Sequence, residues 1–274
     1  MTKTRTLNGS EVDTPTDAPI ENGNGLFRKI TKGRQVAPRR IMLYGVQGVG
    51  KSTWASMAPK PIFLPTEEGL NDLDVEAFPL LSNYTDFMSA LRNLYSKPHD
   101  YKTVVVDSLD WLERMIWTDV CKEHGKADIA DFGYGAGYKY ALGYWGKVVE
   151  ALSAIRSHRQ AQIVLLAHCV IERFEAPDSD SYDRYTPKLH KMAAGLVMEW
   201  CDEVLFSCYE THVKMSEEKF NQERARGIGS GARIVRTTER PFARAKNRLG
   251  LPEEMPLDWR EYASYLHNGT GKES

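Results

Sequence analysis

The chain runs Ile41-Met-Leu-Tyr-Gly-Val-Gln-Gly-Val-Gly-Lys-Ser-Thr53, an apolar run entering the pattern G-x-x-x-x-G-K-S. That spacing commits this part of the chain to a strand, a glycine-rich loop and a helix, in that order. Glycines let the backbone curl until its N–H groups point inward at phosphate oxygens. The candidate nucleotide-binding residues are therefore Gly45, Val46, Gln47, Gly48, Val49, Gly50, Lys51, Ser52 and Thr53. Lys51 is placed to reach the β- and γ-phosphates of ATP, and the Ser52 hydroxyl to hold Mg²⁺. The helix starting near Lys51 adds its positive N-terminal end.

The 274 residues suffice for one large α/β domain with a substantial core. Lys+Arg 36 against Asp+Glu 37 leaves a formal net charge of −1, so any polyanion-binding surface is a local patch. Cys121, Cys169, Cys201 and Cys208 form no C-x-x-C pair, which argues against a zinc knuckle or a disulfide framework. The opening Met-Thr-Lys-Thr-Arg lacks a hydrophobic signal core, and no apolar run reaches membrane-spanning length. A cytoplasmic protein without a membrane partner is expected.

Residues 1–25 are poor in large apolar side chains and read as a disordered tail. Arg28, Lys29, Lys32, Arg34, Arg39 and Arg40 follow as a basic lead-in that is either solvated or a nucleic-acid contact. Further buried strands are expected at Ile62–Leu64, Thr103–Asp107 and Ile163–His168. Helices are expected over 85–96, from Leu109 through Val120, and around Trp145, Val149, Leu152 and Ile155. Continuous apolar strands alternating with amphipathic helices imply a mostly parallel sheet covered on both faces. Residues 131–146 and 172–195 read as loops, 203–207 as a strand, 216–232 as a mobile charged and Gly-rich segment, and 233–236 and 242–245 as closing strands. The organisation expected is a tail over 1–38, one domain over 39–266 and a tail over 267–274.

Asp107 ends a buried strand, where open α/β sheets bind ligands, and is the second candidate Mg²⁺ group beside Ser52. Its alternative is a helix N-cap before Leu109. The residue after it is Ser108 and not the Glu of many P-loop ATPases, so the general base comes from elsewhere. Glu67 and Glu68 follow the second strand and are the candidates, unless they form only a charged turn. His168 ends the next strand, placed either to sense a γ-phosphate or to serve structure.

Together, the P-loop, Phe63-Leu-Pro-Thr-Glu67, Val104-Val-Val-Asp-Ser108 and the polar end of the next strand resemble the RecA-like recombinase and hexameric-helicase core. The resemblance implies a RecA-like P-loop NTPase fold with antiparallel closing strands and favours Glu67 as the catalytic glutamate. His168 stands where that family usually has Gln. Ala245-Lys-Asn-Arg-Leu-Gly250 is similar to the segment that the family sends into a neighbouring subunit's ATP site. By that likeness Lys246 and Arg248 act in trans; read alone, they are two exposed basic residues. Asp107-Ser-Leu-Asp-Trp, Arg184-Tyr-Thr-Pro-Lys-Leu and Glu199-Trp-Cys-Asp-Glu-Val-Leu-Phe resemble a family of bacteriophage nucleotide-binding proteins, some tied to single-strand annealing. That likeness covers roughly residues 39–258.

In the RecA-like core two loops contact single-stranded DNA, and by position they match 125–146 and 170–195. The first carries Lys126, Tyr134, Tyr138 and Lys139, the second Arg173, Arg184 and Lys188. Rings that stack on bases, spaced by cations for phosphates, suit strand binding without sequence preference. The same aromatics also serve as packing anchors. The reading is a RecA-like ATPase that binds single-stranded DNA and assembles as a ring or filament in phage recombination, annealing or replication, in the host-cell cytoplasm, with a single-strand-binding protein as a further partner. The alternative is a nucleotide-gated regulator of a protein partner. A small-molecule kinase with Arg224, Arg226 and Arg233 in a lid is a third class.

Overall fold

A computed structural model describes residues 30–33, 37–175, 180–218 and 222–268. Of the expected tails over 1–38 and 267–274, residues 1–29, 34–36 and 269–274, with Arg28, Lys29 and Arg34, lie outside the described residues, while His267 and Asn268 belong to the last helix. Residues 30–33 carry no helix or strand.

From residue 37 the elements are β1 (Arg40–Gly45), α1 (Lys51–Ser56), β2 (Pro61–Pro65), β3 (Glu76–Ala77), α2 (Tyr84–Ser96), β4 (Thr103–Asp107) and α3 (Leu109–Glu123). They continue as α4 (Ala136–Arg159), β5 (Gln162–Phe174), β6 (Tyr182–Pro187), α5 (Lys191–Trp200), β7 (Glu203–Glu218), β8 (Gln222–Arg236), β9 (Lys246–Asn247), β10 (Glu254–Pro256) and α6 (Trp259–Asn268). The sheet order is β10-β8-β7-β1-β5-β4-β2-β3. From β7 to β3 every pairing is parallel, while β8, β9 and β10 close the sheet antiparallel. This is the mostly parallel sheet with antiparallel closing strands that the resemblance implies.

Strand alternation divides the core. Met42, Tyr44, Leu64, Val104, Val106 and Leu165 face α2 to α5, while Ile41, Leu43, Phe63, Val105, Val164 and Leu166 face α1 and α6. Trp54 of α1 fixes the second layer, its ring centroid 4.6 Å from that of Trp259. Both faces are buried, so these strands read as unbroken apolar runs and not as alternating ones.

Four segments differ from expectation. The stretch 131–146 is mostly helix, because α4 begins at Ala136. Gly137 serves close packing there: a Cβ on it would lie 2.6 Å from the Ile129 carbonyl oxygen. On α4 the buried valine is Val148. Of the expected loop 172–195, residues 172–174 and 182–187 are paired strands of the β5–β6 hairpin and 191–195 lie in α5, with 176–179 outside the described residues. Its charges are cross-strand partners, Glu172 opposite Arg184 and Arg173 opposite Asp183, so a two-stranded arm reads as polar loop sequence. Residues 216–218 and 222–232 belong to the β7–β8 hairpin. At 242–245 there are only isolated bridges through Ala243, and the strand is Lys246–Asn247.

Candidate functional site

Strand register brings the chemistry to one edge. Gly45 lies opposite both His168 of β5 and Ser207 of β7, and Pro65 lies opposite Asp107. Residues at these C-terminal strand ends therefore share one crevice, where open α/β sheets take ligands. Gly45 is required by contact, since a Cβ there would lie 2.0 Å from the Ser207 carbonyl oxygen. Gly48 and Gly50 have φ of 73° and 103°, the left-handed backbone that turns the loop inward.

The resulting cavity, about 320 Å³, is lined by Gly48, Lys51, Ser52, Glu67, Asp107 and His168 among others. Lys51 is buried and its Nζ donates to the carbonyls of Gly45 and Val46 at 3.3 and 3.0 Å. Burial lowers its pKa against the pull of Asp107, Asp110 and Glu67. The Ser52 hydroxyl donates to Asp107 Oδ2 at 2.6 Å. A hydroxyl and a carboxylate meeting at one point are the hard oxygen donors that Mg²⁺ takes, so the site fits that ion. Burial raises the pKa of Asp107 although the Ser52 bond opposes it. Such desolvation is offset by a bound cation.

Glu67 and Glu68 both line the cavity, but their surroundings differ. Glu67 accepts a hydrogen bond from Ser108 Oγ and lies 3.8 Å from His168 Nδ1, whereas Glu68 is exposed. Asp110, buried on the first turn of α3, was not among the residues singled out from sequence. It accepts from the His168 backbone N and faces His168 Nδ1, all at 3.1 Å. Burial pushes its carboxyl up, but the His168 and Ser108 hydrogen bonds outweigh this and hold it below the usual range. Thr66 completes the network, accepting from Ser108 N at 2.8 Å and donating to Ser108 O at 2.6 Å. Asp110 stands three residues after Asp107 on the turn entering this crevice, and that spacing was the available signal.

Lys246 and Arg248 stand apart from this crevice. Lys246 pairs with Val204 and Asn247 with Glu203, at the N-terminal end of β7. Lys246 Nζ donates to the carbonyls of Met198, Glu199 and Cys201 at 3.1, 2.8 and 2.6 Å, closing the C-terminal end of α5. Arg248 is exposed, with Nη1 3.4 Å from Asp202 Oδ1. Of the basic lead-in, Arg39 pairs with Glu203 and Arg40 with Asp202.

The candidate strand-binding residues divide likewise. Lys126, Lys139 and Lys188 are exposed, and Tyr134 is fully exposed with φ 53°. Tyr138 stacks on His190 at 3.9 Å between centroids. Arg173 pairs with Asp183 at 3.4 Å, and the Arg184 guanidinium lies 3.9 Å over the Phe174 ring. The β5–β6 arm continues directly from His168, and Lys188 N donates to the His168 carbonyl at 2.8 Å.

Helix α3 also carries Glu113, which is buried and accepts from His190 N at 2.9 Å. Burial, opposed by that bond, raises its pKa to about 7 from an ordinary 4.5. Between those values the folded state holds more protons than the unfolded one, so stability falls as pH rises through the window. The loss amounts to about 3 kcal/mol, and Glu113→Gln is expected to flatten it. Denaturant melts of both proteins at pH 5 and pH 8 measure this; an unaltered slope in Glu113→Gln contradicts it.

Residues 37–249 match the profile of the AAA domain family. A curated relative, the SPbeta prophage-derived uncharacterized protein YorG of Bacillus subtilis (strain 168), is 24% identical over 212 residues. The match takes in 75% of this chain and spans 58% of that relative's length. Among solved structures, a crystal structure of the RadB recombinase superposes with a TM-score of 0.38 at 15% identity, covering 77% of this chain and 92% of that one. Among the described residues no helix is long and apolar enough to cross a membrane.

Proposed function

This chain belongs to the AAA domain family of nucleotide-binding ATPases, and from that premise we propose that it hydrolyses ATP in step with binding single-stranded DNA, in phage recombination, annealing or replication. The observation that carries the reading is the gathering of the P-loop, Ser52–Asp107, Glu67 and His168 at one sheet edge, with the β5–β6 arm running on from His168. The name of the prophage relative supports the phage setting, and the RecA-like motifs support the coupling of ATP to strand binding.

In this reading the loop amides and Lys51 hold the triphosphate. Ser52 and Asp107 would hold Mg²⁺, which draws charge from the phosphate oxygens. Glu67 takes the proton of the attacking water, and Asp110, through its bond to Nδ1, sets the His168 ring toward the cavity. Lys246 and Arg248 sit at the opposite end of the parallel strands from their own loop. Any contact they make with a nucleotide is therefore with that of a neighbouring copy, in a ring or filament. Lys126 and Lys188, with Lys139 in the first turn of α4 and Tyr134 just before that helix, give the strand its cations and a stacking ring.

The test is ATP turnover with and without single-stranded DNA, with particle size followed on the same samples. DNA is expected to raise turnover and promote assembly. Reversing the charge of Lys126, Lys139 and Lys188 is expected to weaken strand binding and to flatten the plot of log K against log salt by about 2, at about 0.7 per lost phosphate contact. A salt slope that does not change would remove these residues from the interface. Turnover and assembly both indifferent to DNA would favour nucleotide-gated regulation of a protein partner.

A further inference from the structure

Beside the P-loop, on the side away from Glu67 and His168, β7 runs on past β1 and β8 returns antiparallel to it. Gly45 pairs with Ser207, so Tyr209, two residues further, is level with the loop itself. Tyr209 and Arg233 are direct cross-strand partners, which puts their side chains on one face of the hairpin. Both reach the loop. The Tyr209 hydroxyl donates to the Gly48 carbonyl at 3.2 Å, and a Cβ on Gly50 would lie 3.0 Å from Arg233 Nη1.

The register explains how an arginine comes to sit there. Between Tyr209–Arg233 and Thr211–Gly229, β7 has one residue and β8 has three, a bulge in β8 that includes Gly231 at φ 76°. Bulges re-aim the neighbouring side chain and recur beside functional sites. The nearby arginines on this side of the sheet are matched: Arg236 with Glu254 at 3.0 Å, and Arg240 with Glu253. Among the described residues no carboxylate pairs with the Arg233 guanidinium, and the residue is exposed. A guanidinium without a counter-charge among the described residues, held over the candidate phosphate loop, has an anion as its natural complement.

We propose that Arg233 is a nucleotide-binding residue supplied in cis, contacting the diphosphate and nucleoside end of the bound nucleotide. The strand order assigns the end. The terminal phosphate belongs on the β5–β4–β2 side, with Ser52, Asp107 and Glu67, and Arg233 approaches from the β7–β8 side. Its contact therefore survives loss of the γ-phosphate. This separates it from Glu67, which serves the hydrolytic step, and from Lys246 and Arg248 at the other end of the sheet. Tyr209 acts on the loop as a positioning residue through the Gly48 carbonyl. The inference rests on the reading of residues 45–53 as the nucleotide loop.

The experiment measures the dissociation constants of ADP and of a non-hydrolysable ATP analogue, each with Mg²⁺, on the full chain. Arg233→Ala is expected to weaken both ligands alike, by about tenfold to a hundredfold, with Arg233→Lys recovering part of the loss. Without ligand the variant is expected to melt with the wild type, because the side chain has no acid partner among the described residues to lose. At the same ligand concentration, ADP is expected to raise the variant's melting temperature less than that of the wild type. Arg233→Gln, which keeps a long polar side chain, repeats the measurement if the alanine variant does not fold. ADP affinity within twofold of wild type in the folded variant overturns the inference alone. A wild-type protein that binds neither ligand overturns the nucleotide reading beneath it.

Discussion

Lys51→Ala is expected to remove ATP binding and, with it, turnover. Lys51 lines the phosphate cavity against the carboxylates of Glu67, Glu68, Asp72 and Asp107. Without it those carboxylates face a triphosphate with no ammonium among the lining residues to offset them. Two charge-assisted hydrogen bonds to phosphate oxygens are worth about 3 kcal/mol or more, hence at least about a hundredfold in affinity. The fold itself is expected to persist. Burial already disfavours the Lys51 ammonium, whose hydrogen bonds run to the Gly45 and Val46 carbonyls within its own loop. Calorimetric titration with Mg-ATP, beside a thermal melt of the ligand-free protein, separates the two effects. Affinity retained in a folded Lys51→Ala protein would contradict the assignment of the loop.

Glu67→Gln is expected to do the reverse, binding ATP while turnover falls about a hundredfold to ten-thousandfold. The amide keeps the length of the side chain and can still face Ser108 Oγ and His168, but it accepts no proton from water. Removing one negative charge from the cavity also favours the triphosphate, so binding is expected to hold or tighten. Single-turnover measurement of phosphate release, with bound ATP counted separately, reads both quantities. Normal turnover in Glu67→Gln would pass the role to Glu68, which lines the same cavity but is exposed. The Ser108 and His168 contacts to Glu67 favour the first outcome.

Much of the candidate nucleotide site was readable in order along the chain, because its parts are local. Gly45 to Ser52 are one continuous stretch from the end of β1 into α1, and Thr103–Asp107 is a buried strand whose bounds the apolar run already marks. The parallel sheet was legible for the same reason: strands buried on both faces leave runs such as Val104-Val-Val106 that no surface element needs. The polar segments were not. The outer part of the β5–β6 arm is largely solvent-facing, so its side chains carry no burial signal. Its pairing, like that of β7 with β8, is set across the hairpin and not by neighbours in the chain. The glycines of 133–143 read as a loop, yet Gly137 is glycine because Ile129 and Phe132 press against it.

By itself, the sequence determined that a glycine-rich loop follows a buried strand and that Asp107 ends another, since both depend on neighbours in the chain. Only the tertiary structure decided that Asp110 holds His168, that Lys246 closes the end of α5 rather than facing its own loop, and that Arg233 lies over Gly50. Each of those contacts joins residues far apart in the chain, and is fixed by strand order and register, which no local spacing encodes.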